Sequence, residues 1–387
     1  MKYKDTPFGK IPDRWDLSPI SEVTDLVTDY VANGSFASLA ENVTYKDTED
    51  VAVLIRLVDY NNDYKGNFVF INEHAYEFLG KSKLYGGEII ISNVGANVGT
   101  VFRCPQLQYK MSLAPNAIMV KFKENDDFYY FWLRSHAGQH MLHSIVTGSA
   151  QPKFNKTNFR DMLVPVPPRD QQDKIVSILQ PLEDKIEQNK MINENLLQQA
   201  QAIYTDMFIS NASPTWQIGH LSDLITVRYG KDHKKLADGT YPVYGSGGIM
   251  RYVERPIYDK ESVLIPRKGT LNNVMYVNEP FWSVDTMFFT EMKLPNVAKF
   301  VFHFVKSKDL ASLNAGSAVP SMTTDILNAM ELPIPDADTL GKFENIVAPM
   351  YLTVQQNTQQ SGKLAELRDS LLPRLMSGAL DVSGLDL

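Results

Sequence analysis

The chain has 387 residues, of which 44% are hydrophobic, with one cysteine and a formal net charge of −7. This length predicts two or three domains rather than one core, and the apolar content excludes a wholly disordered chain. The single Cys104 excludes a disulfide framework. The sequence begins without a signal-peptide pattern and has no run near the roughly 20 apolar residues of a membrane span, which predicts a cytoplasmic protein without membrane contact.

The negative charge is unevenly divided along the chain. Five of the seven excess negative charges lie in residues 169–208 and 337–387, while residues 1–168 and 209–336 are close to neutral. An acidic balance by itself argues against a nucleic-acid partner, so any basic face in the neutral segments has to be local.

The first predicted element, residues 1–168, is a globular segment that mixes helices and strands. Apolar runs such as "VAVLIRLVDY" and "EIIISNV", bounded by Gly and Asn, predict strands. Basic loop residues are candidates for phosphate contact, and asparagine can bind adenine through two hydrogen bonds. The candidates for nucleic-acid contact in this segment are Lys81, Lys83, Asn93, Arg103, Lys110, Lys153, Asn155 and Lys156.

The second predicted element, residues 169–208, is a long helix with a heptad seam. Apolar residues recur at alternating spacings of four and three, as a coiled coil requires, with two asparagines in the middle. The seam is Ile175, Leu179, Leu182, Ile186, Asn189, Asn193, Leu196, Ala200, Ile203 and Met207.

The third predicted element, residues 209–336, is a second globular segment. "SVLIPRKG" and "MFFTEMKL" predict strands, and the glycine-rich "YPVYGSGGI" lacks the strand–helix context of a dinucleotide site. "PRKGT" places two basic residues at a strand end, which suits contact with guanine or phosphate. The candidates for nucleic-acid contact here are Arg228, Lys231, Lys234, Lys235, Tyr244, Ser246, Arg267 and Lys268.

The fourth predicted element, residues 337–387, contains a second long helix and a tail. Its seam is weaker and is again polar at the centre. The seam is Phe343, Val347, Met350, Val354, Asn357, Ser361, Leu364, Arg368, Leu371 and Leu375.

The two seams predict an antiparallel helix pair. If Asn189 faces Asn357, Ile175 lies near Leu371 and Ile203 lies near Phe343. The alternative is that each helix packs only on its own globular segment. Because proline removes a helical hydrogen bond, Pro181 and Pro349 predict a short helix, a kink and then a long helix of about 28 residues, or roughly 42 Å.

The chain repeats itself at an offset of 168 residues. "GSAQPKFNKTNFRDMLVPVPP" matches "GSAVPSMTTDILNAMELPIP", so that Gly148 aligns with Gly316 and Pro152 with Pro320. "WDLSPISEV" likewise matches "WQIGHLSDL". A period of this length indicates a duplicated domain rather than a solenoid.

Catalytic patterns are scarce. His136, His140 and His143 share a face of a predicted helix, which leaves a metal site and a packing role open, but the second copy has no matching histidines. There is no P-loop, no Gly-x-Ser-x-Gly and no Asn-Pro-Pro-aromatic methyltransferase motif. The sequence therefore favours a binding protein over an enzyme.

These motifs, in this order and twice over, resemble the specificity subunits of type I restriction–modification systems. The resemblance covers nearly the whole chain and includes "IPDRWDLSPISEV", "YPVYGSGG", the spacer helix "QQDKIVSILQPLEDKIEQNKMINENLLQQAQAIYTDMF" and the ending "LRDSLLPRLMSGALDVS". It implies an α+β fold of two target-recognition domains, separated by two antiparallel coiled-coil helices with pseudo-two-fold symmetry.

The resemblance also implies partners and cofactors. The two domains would read a bipartite site in double-stranded DNA, and two methyltransferase subunits carrying S-adenosylmethionine would dock on the helices to methylate adenine. Restriction subunits using ATP and Mg²⁺ could join to cleave DNA as a defence against phage, with no cofactor in this chain. A self-sufficient DNA-binding or repressor-like protein, a coiled-coil adaptor and an enzyme with an unrecognised site are the alternatives.

Overall fold

The computed structural model describes residues 2–313 and 321–385 of the chain. These residues form two compact units, the first made of residues 1–187 and 360–387 and the second of residues 188–359. The unit boundaries fall inside the predicted helical segments, because each unit contains a globular part and one half of each long helix. Gly316 and Pro320 of the repeated motif lie outside the described residues.

The strands are short and mostly buried. In chain order they are β1 (Tyr3–Thr6), β2 (Gly9–Pro12), β3 (Asp16–Pro19), β4 (Thr24–Asp29), β5 (Ala52–Ile55), β6 (Val69–Ile71), β7 (Lys83–Leu84), β8 (Ile89–Ser92), β9 (Val101–Arg103), β10 (Lys110–Leu113), β11 (Ala117–Phe122), β12 (Leu163–Val166), β13 (Gln217–His220), β14 (Ile225–Tyr229), β15 (Asp238–Gly245), β16 (Gly248–Val253), β17 (Ser262–Pro266), β18 (Met275–Val277), β19 (Trp282–Ser283), β20 (Met287–Met292) and β21 (Glu331–Ile334).

Most helices are short, and two are long. They are α1 (Ile20–Val23), α2 (Phe36–Asn42), α3 (Leu57–Asn61), α4 (Glu73–Phe78), α5 (Asp126–Arg134), α6 (His136–Ser144), α7 (Lys156–Asp161), α8 (Arg169–Thr205), α9 (Leu221–Leu224), α10 (Ala298–Lys306), α11 (Thr324–Asn328) and α12 (Ala337–Met376). A 3-10 turn (Tyr30–Asn33) precedes α2, and a π turn (Asp206–Ser210) follows α8.

The two globular parts share one topology. The central sheet has the order β4-β11-β8-β9 in the first unit and β14-β20-β17-β18 in the second. The repeated segments also pair in the same way, because β3 pairs with β12 and β13 pairs with β21, in both cases antiparallel. The internal repeat in the sequence is therefore a duplicated fold, and the predicted α+β class with two similar domains is confirmed.

Each central sheet is covered on both faces, which explains its continuous apolar strands. Ile89 and Ile91 of β8 belong to one core cluster and Ile90 to another. In β17, Val263 and Leu264 likewise belong to different clusters. Successive side chains of a strand point to opposite faces, so a strand buried on both sides has to be apolar throughout.

The units differ in their second sheets, which follow the first strand of the central sheet in the chain. The first unit adds a four-stranded sheet with the order β6-β5-β10-β7, and the second adds a three-stranded sheet with the order β16-β15-β19. The common fold therefore carries a different insertion in each copy.

The contacts between α8 and α12 agree with the predicted antiparallel register. Ile175 and Leu371 pack in the same core cluster of the first unit, and Ile203 and Phe343 share a cluster of the second. Every proposed pairing residue is buried or half-buried: Ile175, Leu182, Ile186, Asn189, Leu196, Ile203, Phe343, Met350, Val354, Asn357, Leu364 and Leu371. The clusters also contain residues of the globular parts, so the helices pack on those parts as well as on each other.

Polar contacts join the middle of the helix pair. Asn189 Nδ2 donates to the Asn357 carbonyl at 3.4 Å, and Asn357 Nδ2 donates to Asn193 Oδ1 at 2.9 Å. Farther along, Arg368, which interrupts the apolar seam, donates to Glu183 Oε1 at 3.0 Å. The asparagines of both seams and Arg368 therefore have polar partners on the opposite helix.

The predicted division of each long helix at its proline is wrong. α8 continues through Pro181 for 37 residues and α12 continues through Pro349 for 40. An interior proline removes one hydrogen bond, but the helix persists where its flanks are packed. Leu179 before Pro181, and Val347 and Tyr351 around Pro349, are buried in the cores of their units.

Candidate nucleic-acid interface

Equivalent residues occupy the end of the central sheet in both units. Asn93 follows β8 and Arg267 follows β17. The Asn93 N–H donates to the Asn116 carbonyl and its carbonyl accepts from the Phe154 N–H. Arg267 makes the same two backbone contacts, with Thr286 and Met322. The two predicted contact residues therefore stand at one position of a shared fold.

In each unit, the residue that follows Asn93 or Arg267 forms an isolated β-bridge. One of the two bridged residues is a lysine in both units. Val94 bridges to Lys153 in the first unit, and Lys268 bridges to Ser321 in the second. In the first unit the lysine is the later residue of the bridge in the chain, whereas in the second unit it is the earlier one. Both lysines are exposed, so each unit presents one lysine at this bridge.

The side chains of Asn93 and Arg267 are partly used within the protein. Asn93 Nδ2 donates to the Phe154 carbonyl at 3.1 Å. Arg267 Nη1 donates to the Asp285 carbonyl at 3.0 Å, and its guanidinium lies 5.5 Å from the centre of the Tyr229 ring. Asn93 therefore holds its loop, whereas Arg267 keeps further donors for a partner.

Several predicted basic residues are paired with carboxylates. Lys83 contacts Glu77 at 2.7 Å and Lys110 contacts Glu73 at 2.8 Å, with the Tyr76 ring beside both ammonium groups. The hydrogen bond from Lys83 to Glu77 raises the pKa of Lys83 and lowers that of Glu77. These local pairs reduce the charge that the lysines offer to a phosphate.

Arg103, Lys156 and Arg228 are also paired. Arg103 contacts Asp127, Lys156 contacts Asp29 at 2.8 Å and Arg228 contacts Glu291 at 3.0 Å.

Three further candidates have local structural roles. Asn155 caps α7, because its Oδ1 accepts from the Asn158 N–H at 2.8 Å. Tyr244 donates to Glu279 at 3.0 Å, and burial raises its pKa. Ser246 accepts through its carbonyl from Asn273 Nδ2 at 2.8 Å.

Six predicted lysines keep free side chains. Their ammonium groups form no ion pair or hydrogen bond within residues 2–313 and 321–385, and all six are exposed. They are Lys81, Lys153, Lys231, Lys234, Lys235 and Lys268. Four of the six lie in the second unit, which therefore presents the larger number of unneutralised lysines.

Comparison with known proteins identifies the shared fold. The family model "Type I restriction modification DNA specificity domain" matches residues 12–198 and again residues 214–350. The two matches cover most of the chain and coincide with the two copies of the central sheet. The chain belongs to the type I restriction–modification DNA specificity family.

Individual relatives extend over most or nearly all of the chain. The type I restriction enzyme MjaIX specificity subunit of Methanocaldococcus jannaschii is 20% identical over 99% of this chain and 98% of its own length. The MjaVIII specificity subunit of the same organism is 19% identical over 77% of this chain and 80% of its own. The crystal structure of a type I system S subunit from M. genitalium has a TM-score of 0.61 at 16% identity and covers 96% of this chain and 98% of that chain, which shows a common fold.

The histidine cluster of the first specificity domain does not assemble a metal site. His143 Nδ1 lies 2.7 Å from the Gln139 carbonyl within its own helix. Across residues 2–313 and 321–385, no three His, Cys, Asp or Glu side chains are grouped so as to hold a metal ion. Within the same residues, no helix combines the length and the apolar composition needed to cross a membrane.

The second specificity domain also contains a buried ionic cluster that was not predicted from the sequence. Lys299 lies 2.7 Å from Glu261 and 2.7 Å from Glu344, at the wall of a cavity of about 870 Å³. Tyr276 donates to Glu261 as well. The residues are far apart in the chain and follow no spacing rule, so no sequence pattern could have grouped them.

The exposed apolar residues on β16 were not predicted either. "GIMRY" (248–252) breaks the alternation of a half-buried strand by placing Ile249 and Met250 next to each other. Both are exposed, as is Tyr252. The break in the alternation of polar and apolar residues is visible in the sequence and could have indicated these exposed side chains.

Proposed function

We propose that this chain is the non-catalytic recognition subunit of a type I restriction–modification complex. Each specificity domain reads one half of a bipartite site in double-stranded DNA. The observation that carries this proposal is the duplicated fold, in which equivalent sheet ends bear different side chains, Asn93 with Lys153 and Arg267 with Lys268. Two similar readers that differ in sequence would recognise an asymmetric pair of half-sites.

The long helices provide the second part of the proposal. They would dock two methyltransferase subunits. Apolar side chains on these helices remain exposed, namely Met191, Ile192, Ile346, Leu352 and Leu367. These exposed apolar side chains would be available for contact with the methyltransferase subunits.

The chemistry belongs to the partners. The methyltransferase subunits would supply S-adenosylmethionine and transfer a methyl group to adenine, and restriction subunits would supply ATP- and Mg²⁺-dependent cleavage. This division also suits the acidic charge of the chain, because the partners can provide much of the phosphate contact while this subunit contacts bases.

Methylome mapping tests the proposal. Methylated adenines are mapped in cells with the chain, without it, and with residues 209–336 replaced by those of another specificity subunit. We expect one bipartite motif to disappear with the chain, and only one of its halves to change on replacement. An unaltered methylome would contradict the proposal. Tight, site-specific DNA binding by the chain in the absence of any methyltransferase would instead favour a self-sufficient DNA-binding protein.

A further inference from the structure

The hairpin formed by β15 and β16 exposes apolar side chains. Ile249 is 50% exposed and Met250 is 61% exposed, and Tyr252 on the same strand is exposed too. β16 is an edge strand of its sheet. Exposed apolar edge strands favour aggregation and are usually avoided, so their retention indicates a contact surface.

A β-bulge places these side chains at the tip of the hairpin. Tyr244 pairs with Ile249, but Val243 pairs with Arg251, which leaves Met250 as the extra residue. A bulge re-aims side chains and is typical of functional positions. A Cβ at Gly245 would lie 2.5 Å from Met250 Sδ, so a larger residue there would displace the thioether from its present position.

Free lysines lie next to this hairpin on two sides. Lys231 is held to β19 of the same sheet, because Trp282 Nε1 donates to its carbonyl at 2.9 Å. Arg251 Nη2 donates to the Leu236 carbonyl at 3.1 Å, which holds the end of the 231–235 segment against β16. Lys268 precedes Gly269, which lies against the Ser246 side chain in the hairpin turn.

The charge and the apolar surface around the β15–β16 hairpin together indicate which kind of molecule binds there. Asp238, the acidic residue on the hairpin strand, is neutralised by Arg251 at 2.6 Å. The lysines beside the hairpin (Lys231, Lys234, Lys235 and Lys268) have no ion pair within the described residues, so a polyanion is favoured over a neutral or cationic partner. DNA combines a chain of negatively charged phosphates with stacked bases between which apolar side chains can insert.

We propose that the β15–β16 hairpin is an apolar wedge, with Ile249 and Met250 inserted against a base step of the half-site that the second domain reads. This inference rests on the proposed function and adds the specificity-determining residues. Isoleucine and methionine are among the side chains that partly unstack a base step, and the neighbouring lysines would contact the flanking phosphates. Because the cost of unstacking depends on sequence, the wedge would select deformable steps.

The first domain exposes apolar residues at the same point of its fold. Phe36, the first residue of α2, is 83% exposed, and Val31 and Tyr45 are exposed as well. These three residues line one cavity of about 470 Å³ together with Asn93. The insertions differ, yet both present apolar side chains near the same end of the central sheet.

The test uses the complex assembled with its methyltransferase subunits and DNA that carries the mapped site. 2-Aminopurine is placed at successive positions of the half-site that the second domain reads. The wild-type complex should raise the fluorescence at one step, because the base there is unstacked. Ile249→Ala and Met250→Ala should each abolish that rise and weaken specific binding about tenfold, the scale of one mismatched base pair, with the salt dependence unchanged.

Two control variants separate the wedge from other effects. Ile218→Ala removes an isoleucine that is 65% exposed on β13, outside the hairpin, and should leave fluorescence and affinity unchanged. Lys234→Ala should lower the slope of log affinity against log salt by about 1 and keep the fluorescence rise.

Two results would overturn the wedge: wild-type fluorescence and affinity in both hairpin variants, or loss of the methyltransferase subunits from those variants, which would make the patch a protein contact. A wild-type complex without site-specific binding would instead refute the proposed function itself.

Discussion

At the residue scale, the division between paired and free cations determines which predicted contacts are available. Lys83 and Lys110 each hold a glutamate within 2.8 Å, whereas Lys153 and Lys268 are exposed at equivalent bridges with no ion pair within the described residues. A lysine that already pairs with a carboxylate has to lose that contact before it binds a phosphate. The lysines without an ion pair are therefore better candidates for DNA contact than the paired ones.

This difference predicts unequal effects of lysine replacement. Lys153→Ala and Lys268→Ala should each weaken binding of the assembled complex to all sequences alike and reduce the salt slope by about 1, because one phosphate contact is lost. Lys83→Ala, which removes a paired lysine, serves as the control and should change the slope less. Titrations of labelled DNA at several salt concentrations measure the slopes. Equal slopes for all three variants would contradict the assignment.

His303 gives the second domain a pH-dependent stability. Its Nδ1 lies 2.9 Å from Gln201 Oε1 and its Nε2 lies 2.9 Å from the Tyr351 hydroxyl, which suits the neutral ring. Burial, and secondarily the charge of Lys306, lowers its pKa to about 4. The unfolded chain binds this proton near pH 6.5, so the contribution is complete above that pH and is lost as the pH falls towards 4.

We expect the free energy of unfolding to fall by about 2 kcal/mol more between pH 7 and 5 in the wild type than in His303→Gln. Urea denaturation followed by tryptophan fluorescence at both pH values measures this difference. Parallel pH profiles for the two proteins would show that His303 is not the titrating group.

At the element scale, the helix pair depends on matched polar positions as well as on its apolar seam. Glu183 of α8 contacts Arg368 of α12 at 3.0 Å and Arg134 of α5 at 3.1 Å. All three side chains are half-buried. Arg368 interrupts the heptad pattern because this position faces a carboxylate rather than an apolar residue.

Glu183→Gln should destabilise the first unit by roughly 2 kcal/mol, because it leaves the partly buried Arg134 without a carboxylate and Arg368 with that of Asp369 alone. Glu291→Gln, which breaks the more exposed pair with Arg228, is the matched control and should cost much less, because solvent screens an exposed ion pair. Chemical denaturation measures both values. A similar cost for the two variants would mean that the Glu183 contacts contribute no more than a surface pair.

At the scale of the whole molecule, one chain carries two copies of a binding fold whose insertions differ. The net charge of −7 limits how strongly such a chain can attract DNA by itself. We therefore expect the isolated chain to bind DNA weakly at physiological salt and the assembled complex to bind its site tightly. Fluorescence anisotropy with and without the methyltransferase subunits measures both. Nanomolar, salt-resistant binding by the chain alone would contradict this expectation.

The sequence by itself determined the duplication, the α+β class and the register of the helix pair. Strands, heptads and repeats are periodic in the chain, so Asn189 and Asn357 could be matched by counting. The sequence did not predict that α8 continues through Pro181. Packing of the residues around the proline offsets the hydrogen bond that the proline removes.

Only the tertiary structure decided which candidate side chains are free and where the insertions present their apolar residues. Lys268 and Ser321 are brought together by a β-bridge, and the ion pair of Lys110 with Glu73 joins β10 to α4; no local pattern encodes such contacts. The cluster of Lys299 with Glu261 and Glu344 depends in the same way on three separate elements. Helices, strands and repeats follow from the periodic order of residues along the chain. Ion pairs and solvent exposure depend on distances between residues that are far apart in the sequence, and these distances are defined only in the folded protein.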